Sequence, residues 1–352
     1  MPALVFDRER LERNARAVAE AARAHGVTAL FAAKSFPHPE VLAIAHQAFD
    51  GIDAASPEEV NAVPAGCVLS VADPSGRAAE AAAAHRGRLI VSCDSVEQIA
   101  RAPAHAEIAI RISASVTGRD PAVGAVLDGT GHRRSRFGLD VAREHRAAQI
   151  RALVAAAAGR PVGLHVHHGP VTATSAERFA ATARAVLAAA TEAQLEPAFV
   201  NLGGAWHGIE DVAGVLAEVR TVVGACELII EPGRAIANGA GFARGCVLVA
   251  RELDDRPLRV LDLSRICHLR WSQVELVAKA PHPGEGRSAL FVGPTCYEDD
   301  VVGEWTVAPA GFRAGARVVL SGVSGYAVAW NHAFGGVAAA EVVIGDADRL
   351  LE

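Results

Sequence analysis

The run Thr28-Ala29-Leu30-Phe31-Ala32-Ala33 is short, apolar and cut off at Lys34. A run of that length, with turn residues on either side, reads as a buried strand. The same pattern returns at 51–55, 67–72, 88–92, 106–112, 162–167, 198–203 and 227–231. Between these runs lie alanine-rich, arginine-studded stretches of helical spacing, including 9–25, 79–85, 142–158 and 175–193. Eight strands alternating with helices is the repeat of a (β/α)8 barrel. A doubly wound open sheet is the alternative, but no GxGxxG follows the first strand, which weakens its nucleotide-binding version.

Beyond residue 245 the pattern changes. Strand-like segments at 244–252, 256–263, 287–293, 302–308, 316–321 and 339–344 follow one another with Gly- and Pro-bearing turns and no long helices. The expected organisation is an α/β barrel over 9–245 and a mostly β domain over 246–352. The strand-like N-terminal residues 1–8 are expected to join the second domain.

Composition narrows the function. A net charge of −6 with no long basic stretch argues against nucleic acid and anionic membrane as partners. No apolar run approaches the roughly 18 residues of a membrane span, and the N-terminal residues carry no signal-like apolar segment. Six scattered cysteines without CxxC spacing predict neither a zinc site nor a disulfide framework, and reduced thiols in a cytoplasm are expected. Of 34 basic side chains only Lys34 and Lys279 are lysines. Surface charge is served about equally by either residue, whereas only a lysine can lose its proton and attack a carbonyl.

Barrel chemistry sits at the C-terminal ends of the strands. Read in order, those ends give Lys34, Asp53-Ala54-Ala55-Ser56, His165-Val166-His167-His168-Gly169-Pro170, Asn201-Leu202-Gly203-Gly204-Ala205-Trp206 and Glu231-Pro232-Gly233-Arg234. Each is ordinary alone. On one rim they supply an amine, carboxylates, an imidazole, and glycine amides with an arginine suited to phosphate. That set can hold pyridoxal 5'-phosphate.

Over nearly its full length the chain resembles the fold type III pyridoxal-phosphate decarboxylases, the ornithine, arginine and diaminopimelate decarboxylase group. The resemblance is carried in order by Ala32-Ala33-Lys34-Ser35, Asp53 to Ser56, Arg136-Phe137-Gly138, His167 to Pro170, Gly203-Gly204-Ala205, Glu231 to Arg234, Gly293 to Asp300 and Ser324-Gly325-Tyr326. It implies that Lys34 forms the internal aldimine, with Asp53 near the amine, His167 stacked on the ring and Glu231 at the ring nitrogen. Gly204, Ala205, Gly233, Arg234 and Tyr326 would hold the phosphate. It also implies a head-to-tail homodimer in which Cys296 and Asp300 enter the partner's active site, with Cys296 the acid that reprotonates the quinonoid carbon.

The expected activity is decarboxylation of an L-α-amino acid or of an amino-acid centre in a larger conjugate. A racemase or epimerase is the alternative chemistry, and a non-catalytic pyridoxal-phosphate carrier the alternative of another class. Glu231 favours decarboxylation, since the related alanine racemases place an arginine at the ring nitrogen. The chain also departs from the family pattern. Pro170 stands where a phosphate-binding serine is expected, Ala205 replaces the third glycine, and Ser35-Phe36-Pro37 follows the lysine. Tyr297 occupies the position of the acid that meets a distal amine in dibasic substrates. Arg270 falls where an arginine contacts a distal carboxylate in the diaminopimelate type. A substrate with a distal anionic or polar group is therefore expected, and by analogy a branch serving siderophore or natural-product pathways. His132, Arg133, Arg134 and Arg136 would add positive potential over the mouth.

Overall fold

The computed structural model describes residues 1–113, 125–127, 133–135, 137–139, 145–167, 176–254, 256–278, 285–308 and 311–351. His132, Arg136, His168, Gly169, Pro170 and Lys279, named above, lie outside the described residues. The chain divides into two compact units that interleave along the sequence. A β unit comprises Met1–Asn14, Ser35–Val41 and Ile236–Glu352, and a barrel unit comprises Ala15–Lys34 and Leu42–Ala235.

β1 (Ala3–Asp7) belongs to the β unit. The barrel strands are β2 (Val27–Ala32), β3 (Gly51–Ala54), β4 (Val68–Val71), β5 (Leu89–Cys93) and β6 (Glu107–Ile112). After a small hairpin, β7 (Ala125–Leu127) and β8 (Arg133–Ser135), come β9 (Val162–Val166), β10 (Phe199–Asn201) and β11 (Glu227–Ile230). Strands β2 to β6 and β9 to β11 pair in parallel and close on themselves, so the eight apolar runs are the eight staves of a parallel β/α barrel. Helices at Arg8–Ala24, Arg146–Ala156 and Ala176–Glu192 occupy the alanine-rich stretches.

The two-residue period of a strand sorts the barrel interior into layers. The floor is ionic. Arg88 donates to both oxygens of Glu107 (2.8 and 2.8 Å) and both of Glu227 (2.6 and 2.9 Å), and Thr28 Oγ1 donates to Glu227 at 3.1 Å. Two residues further along the strands, Leu30, Ile90, Ala109, Phe199 and Ile229 pack with Val68 into an apolar middle layer. The bulk of Phe199 is accommodated by Gly163, where an added Cβ would sit 2.4 Å from the ring. Two residues on again come Asp53, Ser70, Ser92, His165, Asn201 and Glu231, all buried and all polar. A buried polar layer is costly unless its groups find partners, so this end of the barrel is built for chemistry.

The β unit is an eight-stranded sheet. It adds to β1 the strands β12 (Gly241–Leu253), β13 (Arg256–Leu261), β14 (Glu275–Leu276), β15 (Arg287–Val292), β16 (Val301–Val307), β17 (Arg317–Ser321) and β18 (Glu341–Gly345). β1 pairs antiparallel with β12 and parallel with β18, which makes it integral to this sheet. The short β14 escapes a sequence reading because two residues carry no period. Within the unit, Gly325 is required: a Cβ there would lie 2.6 Å from the carbonyl oxygen of Ser35. Among the described residues no helix is long and apolar enough to cross a membrane.

Candidate active site

At the mouth of the barrel unit Lys34 does not end its strand, as the sequence suggested. β2 stops at Ala32, and Ala33–Ser35 form a single 3-10 turn. The Ala32 amide donates to the Pro232 carbonyl at 3.1 Å, which stitches the end of the first barrel strand to the turn after the eighth. From that turn Lys34 Nζ donates to Asp53 Oδ2 at 2.5 Å. Asp53 is fully buried in β3, and its Oδ1 has no hydrogen-bond partner. Burial and the neighbouring Glu231 push the Asp53 carboxyl above its ordinary range, against the pull of Lys34. Glu59, whose Oε2 accepts from the Ala55 amide at 2.8 Å, is likewise raised, chiefly by burial.

Glu231, just past the end of β11, is 2 % exposed. Its Oε1 accepts from Asn201 Nδ2 at 2.6 Å and from Ser70 Oγ at 3.5 Å. The Asn201 orientation is unambiguous, because its Oδ1 accepts from the Gly203 amide at 2.8 Å. His165 Nδ1 lies 2.7 Å from Ser92 Oγ, while its Nε2 sits 3.7 Å from Glu231 Oε2 and lacks a hydrogen-bond partner. Burial, with Arg111 adding to it, pushes the His165 pKa down to about 3, so the ring is neutral near pH 7.

The glycine turn after β10 is held from several sides. The Gly203 carbonyl accepts from the Glu231 amide and from Trp206 Nε1, each at 2.8 Å, and Trp206 stacks on Phe179 at 4.3 Å. The Gly204 amide, expected at a phosphate, donates here to His167 Nδ1 at 3.1 Å. A Cβ on Gly204 would meet that imidazole at 2.8 Å, so the glycine is needed for the approach of His167. Ala205 adopts a left-handed conformation, φ 74°, at a position that suits glycine. Gly233 lies in the turn between Glu231 and Arg234, and Arg234 opens a 3-10 turn through Ala237. Arg234 and burial together lower the pKa of His207, burial being the larger cause.

The barrel unit thus brings together Lys34, Asp53, His167, Gly204, Ala205 and Glu231. Sequence reasoning assigned no role to Ser70, Ser92, His165 or Asn201. A signal existed: each is a polar residue inside or at the end of an otherwise apolar barrel run, in phase with the inward face. Ligand atoms of His165, His167 and Glu231 lie within 4.8 Å of one another. A metal could span that distance, but the Gly204 N–H already engages His167 Nδ1.

The other assigned residues belong to the β unit. Cys296 and Tyr297 are exposed, and Tyr297 lies edge-on to Phe334 at 5.3 Å. The Arg270 guanidinium rests 4.5 Å over the Trp330 ring, and Trp271 packs edge-on against both Trp330 and half-buried Tyr326. Asp300, expected to meet substrate, is buried and turned into its own unit. Its carboxylate accepts from Ser264 Oγ at 3.0 and 3.1 Å, the Arg265 amide at 2.7 Å and Thr295 Oγ1 at 2.7 Å, tying two loops together.

A parallel β/α barrel with a lysine–carboxylate pair and a buried polar layer at its mouth, accompanied by a β-rich domain, defines a recognisable class of protein. The family described as pyridoxal-dependent decarboxylase, pyridoxal binding domain, matches residues 8–238, and the chain belongs to it. A search of the curated proteins returned no significant match. Among solved structures, the chain is similar to the Paramecium bursaria Chlorella virus arginine decarboxylase bound to agmatine, at 16 % identity and a TM-score of 0.77, covering 97 % of this chain and 96 % of that one. It is also similar to the lysine/ornithine decarboxylase of Vibrio vulnificus complexed with cadaverine, at 19 % identity and a TM-score of 0.76, covering 98 % and 94 %. The lysine decarboxylase of Selenomonas ruminantium is 19 % identical, with a TM-score of 0.73 and coverage of 98 % and 92 %. At these identities the structural likeness establishes the fold.

Proposed function

We propose that this protein is a pyridoxal-phosphate-dependent decarboxylase of an L-α-amino acid, or of an amino-acid centre in a larger conjugate. The observation that carries the reading is Lys34 Nζ held at 2.5 Å by a fully buried Asp53 in the same polar layer as Glu231. The donor set fits the cofactor: an amine for its carbonyl, a buried acid for its ring nitrogen, and a buried Asp53 Oδ1 with no partner of its own. When bound, pyridoxal phosphate supplies a conjugated ring that accepts the electron pair left as the carboxylate departs.

This chain's residues then have separate tasks. Lys34 would hold the cofactor through its amine. Asp53 orients Lys34 and exchanges a proton with Nζ. Glu231, held by Asn201, would keep a proton on the ring nitrogen. His167 would cover the ring face, and Ala205, Gly233, Arg234 and Tyr326 would hold the phosphate, while the Gly204 amide, which donates to His167 Nδ1, would keep that imidazole in place. Cys296, from a second copy of the chain, donates the proton that replaces the lost carboxylate. Arg270, backed by Trp330, and the exposed Tyr297 select a substrate with a distal anionic or polar group. Asp300 supports this surface by fixing the loop that carries Cys296 and Tyr297.

The test begins with absorbance. The purified protein given pyridoxal phosphate should develop a visible band that Lys34→Ala abolishes; a colourless wild type overturns the cofactor assignment. Incubation with candidate amino acids in D2O should then release CO2 and leave one deuterium on the product carbon. Racemised substrate without CO2 would establish the racemase alternative instead. Mixing inactive Lys34→Ala with inactive Cys296→Ala should recover activity through mixed dimers, and no recovery would remove Cys296 from a shared site.

A further inference from the structure

His165 lies two residues before His167 on the inward face of β9 and is 1 % exposed. None of the tasks above uses it. Its ring is neutral and so carries a single N–H. Nδ1 lies 2.7 Å from Ser92 Oγ, a hydroxyl able to donate or accept. Nε2 faces Glu231 Oε2 at 3.7 Å and bonds to nothing else. A lone pair on Nε2 would point at a carboxylate, whereas an N–H there is attracted to it. The proton therefore belongs on Nε2, and Ser92 donates to Nδ1. A shift of roughly half an ångström brings Nε2 within hydrogen-bond range of the acid.

With that shift Glu231 is held from two sides by uncharged donors, Asn201 Nδ2 already bonded to Oε1 and His165 Nε2 facing Oε2 at 3.7 Å. A cationic partner would neutralise the carboxylate; neutral donors orient it and leave its charge available. We propose that His165 is a positioning residue for Glu231: Ser92 fixes its tautomer, and its Nε2–H holds the carboxylate aimed at the cofactor's ring nitrogen. This role rests on the pyridoxal-phosphate reading given above. Charged groups acting on His165 are Arg111, Asp53 and Lys34 as well as Glu231.

The experiment compares wild type, His165→Phe, His165→Gln and Ser92→Ala loaded with pyridoxal phosphate labelled with 15N in the ring. The cofactor dissociation constant and the 15N resonance are read for each. His165→Phe and Ser92→Ala should bind about tenfold more weakly and shift the ring nitrogen toward its unprotonated resonance. His165→Gln, which keeps an N–H near the Nε2 position, should restore both. A merely structural role would lower the melting temperature and leave the 15N resonance in place, and that result overturns the proposal. Should His165→Phe fail to fold, Ser92→Ala and the 15N imidazole resonances of the wild type decide. An Nδ1–H tautomer at His165, or a Ser92→Ala variant with unchanged ring nitrogen, refutes the role. A wild type with no Lys34-dependent band removes the cofactor reading and this role with it. A normal wild-type band with an unaltered His165→Phe removes the role alone.

Discussion

Acidification should destabilise the barrel unit through His165. The imidazole is held neutral, with its pKa at about 3 against 6.5 for an unperturbed histidine. A depressed native pKa means that the unfolded chain takes up the proton first, so stability is full above about pH 6.5 and falls as the pH drops toward 3. With those two values, lowering the pH from about 7.5 to about 5 removes close to 2 kcal/mol from the unfolding free energy. Asp53 works in the opposite direction: its raised pKa means that protonation on acidification relieves a native-state cost. The His165 contribution is therefore isolated as a difference. Urea unfolding of wild type and His165→Phe, followed by circular dichroism and by hydrogen exchange in a peptide spanning β9, should give curves whose separation changes by about 2 kcal/mol across that range. Wild-type stability should fall more steeply with acid than that of the variant. Parallel pH profiles would refute the neutral, buried imidazole on which the argument stands.

Other perturbations test separate parts of the structure. Ala205→Gly should raise stability by about 1 kcal/mol, because φ 74° strains a residue with a Cβ; an unchanged or lower urea midpoint contradicts the strain. Arg88→Ala leaves Glu107 and Glu227 facing each other across the barrel floor and should cost about 2–3 kcal/mol, with cofactor affinity unaffected, as equilibrium dialysis would show. Asp300→Asn places an amide against the Ser264, Arg265 and Thr295 donors. Peptides covering 264–268 and 293–300 should then exchange faster together, and protection lost in only one of them would contradict the tie between the loops.

The barrel was legible because a parallel strand is buried on both faces and so reads as a clean apolar run. The eight runs survive in the structure to within a residue or two at their ends. Lys34, Asp53 and Glu231 were legible for the opposite reason: each is polar where such a run stops. Ser70 and Ser92 were hidden because a serine inside Val68-Leu69-Ser70-Val71 or Leu89-Ile90-Val91-Ser92-Cys93 scarcely interrupts the run. Their partners, Glu231 and His165, are 161 and 73 residues away. Counting back by twos from the reactive strand ends would have found this layer, since the inward face has that period. The partners of Asp300 were hidden for another reason. Its motif marks a loop near chemistry, and only the fold reveals that its carboxylate faces inward onto that loop's own donors.

The course of β1 has a consequence for synthesis. Its residues are synthesised before every barrel strand, yet its antiparallel partner begins at Gly241 and its parallel partner only at Glu341. Every stave of the barrel is translated while Ala3–Asp7 still has unsatisfied peptide groups along both edges. The segment Ser35–Val41, directly after Lys34, waits in part as well, because apart from Met1–Asn14 the residues it clusters with start at Ile236. A nascent chain can therefore close its barrel before either flank of the first stave has settled. A product truncated ahead of Glu341 retains every barrel-unit side chain assigned above but leaves its first strand exposed as a sticky edge, the kind that recruits other chains.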